Sequence, residues 1–131
     1  MSRILWLALV GGALVACGDG PKVPVEDFVI TECLNKDGAE PPIEDLLLTG
    51  SQDSITVAHR AHPLNCNNDI HVDARVDDEA GVITVTYDDR SKDPVDCECV
   101  YDLGYVLGPV ERGEWVVTVP GPNQATVKVD P

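Results

Sequence analysis

Asp69-Ile70-His71-Val72-Asp73-Ala74-Arg75-Val76-Asp77 alternates without a break between apolar and polar side chains. In an extended chain Ile70, Val72, Ala74 and Val76 fall on one side, and Asp69, His71, Asp73, Arg75 and Asp77 on the other. A period of two is that of a β-strand with one dry face and one wet face. Asp78-Glu79-Ala80-Gly81 follows, a polar stretch ending in glycine that can reverse the chain. Ile83, Val85 and Tyr87 then alternate with Thr84, Thr86 and Asp88, so the two segments read as a β-hairpin.

The pattern extends in both directions. From Cys97 the odd positions Cys97, Cys99, Tyr101, Leu103, Tyr105 and Leu107 form one apolar stripe, and Gly104 within it marks a bulge or a close backbone approach. Glu111-Arg112-Gly113 turns the chain. Trp115, Val117 and Val119 continue a strand, Pro120-Gly121-Pro122-Asn123 turns again, and Val127 and Val129 complete the pattern. Upstream, 28–31 and 54–60 read as further strands. Residues 43–48 offer at most one helical turn, fenced by Pro41, Pro42 and Gly50. Seven short strands at turn spacing predict an all-β protein, a small immunoglobulin-like β-sandwich. The segment Gly113-Glu114-Trp115-Val116-Val117-Thr118-Val119 resembles the late strand of many bacterial immunoglobulin-like domains, which supports that class and implies no activity.

The first seventeen residues have a different character. Arg3 supplies a positive charge, residues 4–16 contain no charge, and the small Ala16 precedes Cys17. This is the pattern of a secretory signal, and the run is shorter than the roughly 20 residues that span a bilayer. Leu14-Val15-Ala16-Cys17 resembles the lipobox of bacterial lipoproteins. The resemblance implies cleavage before Cys17 and acylation of that cysteine, with the lipid bilayer as partner; two or more acyl chains anchor stably where one does not. Gly18-Asp19-Gly20-Pro21-Lys22-Val23-Pro24 reads as a tether. The expected organisation is a signal peptide at 1–16, the lipidated Cys17 and tether at 17–26, and the sandwich at 27–131. Gly18 stands where lipoproteins retained on the inner membrane of Gram-negative bacteria tend to carry Asp, so the resemblance implies the outer membrane of the cell envelope.

Charge narrows the partners. The chain has 23 acidic and 9 basic residues; removing Arg3 with the signal leaves 8 bases and a net charge of −15. Such a chain is repelled by nucleic acid and by anionic lipid, so neither DNA, RNA nor a polybasic membrane contact is expected.

Four cysteines remain after Cys17: Cys33, Cys66, Cys97 and Cys99. In an oxidising compartment an even set predicts two disulfides. Cys97 and Cys99 are two apart on an extended segment, an unattractive pair, so one should reach Cys33 and the other Cys66; the choice between those two pairings stays open. The sharper alternative is a metal-handling lipoprotein in which Cys-x-Cys joins one of His59, His62 and His71. The spacing matches no compact zinc pattern, and no metal ligand or cofactor is assigned.

Catalysis finds no footing in the sequence. There is no Gly-x-Ser-x-Gly elbow, Walker loop or dinucleotide fingerprint. His71 lies on the wet face of its strand, His59 shares parity with Ile55 and Val57, and His62 precedes Pro63 in an expected loop. Asp77-Asp78-Glu79, Asp88-Asp89, and Asp93 with Asp96 read as solvated turn carboxylates. No catalytic residue is assigned. The expectation is a non-enzymatic envelope module that contacts another envelope protein or a glycan. A second expectation is an exported protease inhibitor presenting loop 91–96.

Overall fold

A computed structural model describes residues 20–38, 40–121 and 124–129. The signal peptide at 1–16, Cys17 and the first tether residues lie outside these, as do Pro122 and Asn123 of the last expected turn. Among the described residues the regular structure is eight strands and one 3-10 turn at Lys36–Gly38: β1 (Val25–Ile30), β2 (Asp45–Ser51), β3 (Ser54–Asn65), β4 (Ile70–Asp77), β5 (Val82–Asp89), β6 (Glu98–Leu107), β7 (Gly113–Thr118) and β8 (Gln124–Val129). They form two four-stranded sheets, ordered β1-β6-β3-β2 and β4-β5-β7-β8. The first is antiparallel throughout; the second contains one parallel pair, β5 with β7.

The sandwich is all-β with two disulfides, as expected, and has eight strands instead of seven. The additional strand is β2, where the sequence suggested a helical turn. Leu46, Leu47 and Leu48 form a continuous apolar run that hides a period of two. In the structure Leu46 and Leu48 are half-buried and Leu47 is exposed. Pairing with β3 from Asp45↔Arg60 to Ser51↔Ser54 overrides any local helical preference.

The expected hairpin is β4–β5, in register from Ile70↔Asp89 to Asp77↔Val82. Its turn is closed by Gly81 N–H donating to Asp77 O (2.9 Å) and Ala80 N–H donating to Asp77 Oδ1 (3.1 Å), with Gly81 at φ 68°. Inward side chains of both sheets form one apolar core that includes Ile55, Val57, Ile83, Val85, Leu103, Tyr105, Leu107, Trp115, Val117 and Val129. Their burial is the main stabilising term, roughly 1.5–3 kcal/mol for each large side chain. Gly104 meets the expected close approach: a Cβ there would stand 3.2 Å from Val29 Cγ2, opposite an irregularity in β1.

Within the stretch 17–26 expected as a tether, the described part from Gly20 onward packs on the sandwich. Val76 N–H donates to Pro21 O (3.0 Å), Val23 N–H donates to Ala74 O (2.9 Å), and Lys22 bridges to Arg75. Val23 is buried in the core. The reason is the sheet edge: β4 is the last strand of its sheet, and its open N–H and C=O groups accept this segment as cover. Gly20 lies so close that a Cβ would overlap the Val76 carbonyl.

Candidate functional site

Strand β3 carries the residues that sequence parity could not bring together. His59 lies opposite Leu103 and His62 opposite Tyr101, so two residues of β3, Arg60 and Ala61, face the single residue Asp102 of β6. This is a β-bulge. Ala61 adopts φ 54°, and Asp102 Oδ1 accepts its N–H at 2.9 Å. The bulge shifts parity by one, so both His59 and His62 turn into the sandwich. Pro63 is tolerated because β2 stops pairing at Arg60, leaving that side of β3 without a ladder.

Asp102→Ala removes the acceptor that holds the bulge and leaves the Ala61 N–H without a partner. The expected loss is about 1–3 kcal/mol in urea unfolding. Asp102→Asn keeps an acceptor and should recover most of it. Equal stability of the alanine variant and the parent would show that the bulge forms without the carboxylate.

The two imidazoles meet a carboxylate from just before β2. Glu44 Oε2 lies 2.7 Å from His59 Nε2 and 2.8 Å from His62 Nδ1. His59 is fully buried (0 % exposed) and His62 nearly so, while the Glu44 side chain is 20 % exposed. The rings of His59 and His62 have centroids 4.5 Å apart. Behind His59 the polar chain continues across the sandwich: His59 Nδ1 lies 2.7 Å from Tyr87 Oη, and Tyr87 Oη lies 2.8 Å from Tyr105 Oη.

Electrostatics fixes the proton directions. Burial works to raise the Glu44 carboxyl, but hydrogen bonds and charge interactions with His62 and His59 outweigh it and hold the group below the usual carboxylate value. His59 is held below the usual histidine value, first by burial and further by the charge of His62, against the opposing pull of Glu44. An ionised Glu44 only accepts, so His59 Nε2–H and His62 Nδ1–H both donate to it. A neutral His59 then accepts at Nδ1 from the Tyr87 hydroxyl, which in turn accepts from Tyr105.

Tyr87 and Tyr105 are both shifted upward, chiefly by burial; for Tyr105 the hydrogen bond to Tyr87 works the other way. Unfolded tyrosine ionises near pH 10, whereas Tyr105 in the fold stays neutral beyond that. Its contribution to stability is therefore complete below about pH 10 and is lost above it, by up to about 1.4 kcal/mol per pH unit. A thermal midpoint measured against pH should fall less steeply on the alkaline side in Tyr105→Phe than in the parent. Parallel curves would remove Tyr105 as a cause.

The other sequence candidates lie elsewhere. The disulfides are Cys33–Cys99 and Cys66–Cys97, one of the two pairings left open. Both Cys-x-Cys sulfurs are therefore bonded, which removes the thiolates the metal-handling alternative required. His71 is half-exposed on the outer face beside Asp69. The Asp88-Asp89 pair engages its carboxylates within the fold: Asp89 Oδ1 accepts from the N–H groups of Asp69 and Ser91, and Asp88 pairs with Arg90.

Loop 91–96 is fastened from below. Asn65 Oδ1 accepts the Val95 N–H (3.1 Å), Asn65 Nδ2–H donates to Val95 O (2.6 Å), and Asn67 Nδ2–H donates to Asp93 O. The Cys66–Cys97 bridge ties its end, and Val95 is left 48 % exposed.

Sequence reasoning missed the cluster for two reasons. At a period of two, residues 59 and 62 face opposite ways, and nothing distinguished Glu44 from the other acids. The available signal was His59-Arg60-Ala61-His62-Pro63 read as a bulged strand. The chain matches no protein-family model, no curated protein and no solved structure.

Proposed function

We propose that the chain is a bacterial lipoprotein, cut before Cys17 and anchored by acylation of that cysteine, whose immunoglobulin-like sandwich is a non-enzymatic binding module of the cell envelope, at the outer membrane. The observation that carries the anchoring is Leu14-Val15-Ala16-Cys17 behind Arg3 and an uncharged run. Two disulfides that engage all four downstream cysteines suit an exported chain. Loop 91–96 supports a binding role: Asn65 and Asn67 hold its backbone and the Val95 side chain is left exposed, so ordering it on a partner costs little.

Intact mass of the protein extracted from membranes tests the anchor. A chain beginning at Cys17 with added acyl mass is the expected result; an unmodified chain with residues 1–16 still attached would sink the proposal. The module is tested by placing a photo-crosslinking residue at position 95 in cells. One envelope protein or glycan, captured repeatedly and lost in Val95→Asp, is expected. The same loop favours a second reading, an exported protease inhibitor, and slowed cleavage by one protease class that Val95→Asp abolishes would select it.

A further inference from the structure

We infer that Glu44, His59 and His62 form a binding site for a divalent cation of the zinc type. The inference is independent of the anchor and of any partner at loop 91–96. Three donors converge: His59 Nε2, His62 Nδ1 and a Glu44 carboxylate oxygen all lie within 4.8 Å of one another. The two N–H groups now aim at a single oxygen. A cation takes the place of those two protons, meeting two imidazole lone pairs and the carboxylate. Two imidazoles and one carboxylate, with a fourth position open, form a zinc ligand set.

On the two N···O separations, the required movement is small and falls on the ligand able to make it. Zinc bonds of about 2.0–2.2 Å in tetrahedral array set ligand atoms about 3.3 Å apart. The present N···O separations are 2.7 and 2.8 Å. Glu44 therefore withdraws by roughly half an ångström, and it is the partly exposed member, outside any strand.

The surroundings of His59 are those of a metal ligand. A ligating imidazole donates its other N–H to a fixed acceptor, which sets the tautomer. Tyr87 Oη stands 2.7 Å from His59 Nδ1. With Nε2 on the cation, Nδ1 carries the proton and donates to Tyr87, whose hydroxyl then donates to Tyr105. Hydroxyls rotate and both donate and accept, so the chain reverses direction without moving a heavy atom.

The test uses the full chain, made under oxidising conditions and purified with both disulfides formed, stripped with chelator and titrated with zinc chloride by calorimetry. One equivalent should bind, and the thermal midpoint should rise with zinc. Cobalt(II) in the same site should give tetrahedral visible absorption. Glu44→Gln should weaken zinc by well over 10-fold with an unchanged circular dichroism spectrum. Tyr87→Phe keeps the ring and should weaken it by about 10-fold. Absence of zinc binding up to about 1 mM overturns the proposal. So does binding that Glu44→Gln leaves intact, which would place the ion on the acidic surface, or binding that appears only after reduction, which would place it on cysteine.

Discussion

Replacing Cys33 and Cys99 together by alanine is expected to lower stability by about 4 kcal/mol, read as a shift of the urea midpoint without reductant. The bridge spans 66 residues, and the Cys66–Cys97 bridge spans 31, with an expected effect of about 3.7 kcal/mol on the same chain-entropy account. The two loops are nested, which changes the first figure slightly. With Cys66 joined to Cys97, the path from Cys33 to Cys99 through that bridge is about 35 residues, and closing it is worth about 3.8 kcal/mol. Each bridge should therefore contribute nearly as much in the presence of the other as alone. For a domain whose net stability is about 5–15 kcal/mol, losing both should leave most chains unfolded at 37 °C. A loss below about 1 kcal/mol for either pair would mean that the unfolded chain is already constrained by other contacts.

Trp115→Ala should be of similar size, about 3–5 kcal/mol. Trp115 is 6 % exposed, pairs with Val127 across β7 and β8, and its indole N–H donates to Glu111 O at 2.9 Å. Val23, Val76, Pro109 and Val110 line the same region of the sandwich. Truncation opens a cavity there and leaves the Glu111 carbonyl without its donor. Trp115→Phe keeps a ring but loses the donor and part of the volume, for an expected cost of about 1–2 kcal/mol. Calorimetric melting of the two variants should rank them in that order. If alanine is tolerated as well as phenylalanine, Val23 and its neighbours collapse into the space and the indole is dispensable.

The parts of the fold legible in the sequence are those where periodicity is unmixed. Residues 69–77 and 82–88 give β4 and β5 because each inward position is apolar and nearly each outward one polar. The odd-numbered stripe of β6 is buried from Cys99 to Leu107; only Cys97, ahead of the strand, is exposed. Legibility ends where one local signal imitates another. Three successive leucines conceal β2. Glycine, proline and lysine around Val23 make a docked segment look like tether. At the polar cluster, backbone geometry intervenes: the bulge at Arg60–Ala61 cancels the rule that would separate His59 from His62. Its cause, the Asp102 carboxylate on the Ala61 N–H, joins residues 41 apart, a tertiary fact that no local window contains.

The docking of 20–24 along β4 sets how far the domain can stand from a surface. From Cys17 to Gly20 there are three peptide units, a reach of about 10 Å. On the proposed anchoring, that is less than the thickness of the sandwich itself, so the sandwich rests close to the headgroups. Gly20 contacts β4 at Val76, near the 78–81 turn. Asn65, which grips loop 91–96, belongs to the opposite end, where Asp69 and Asp89 meet. The intervening run of β4 from Ile70 to Val76 measures about 20 Å. Under that anchoring the short leash would polarise the molecule: one pole would face lipid, and Val95, beside the Cys66–Cys97 bridge, would be carried at the pole that points away from it.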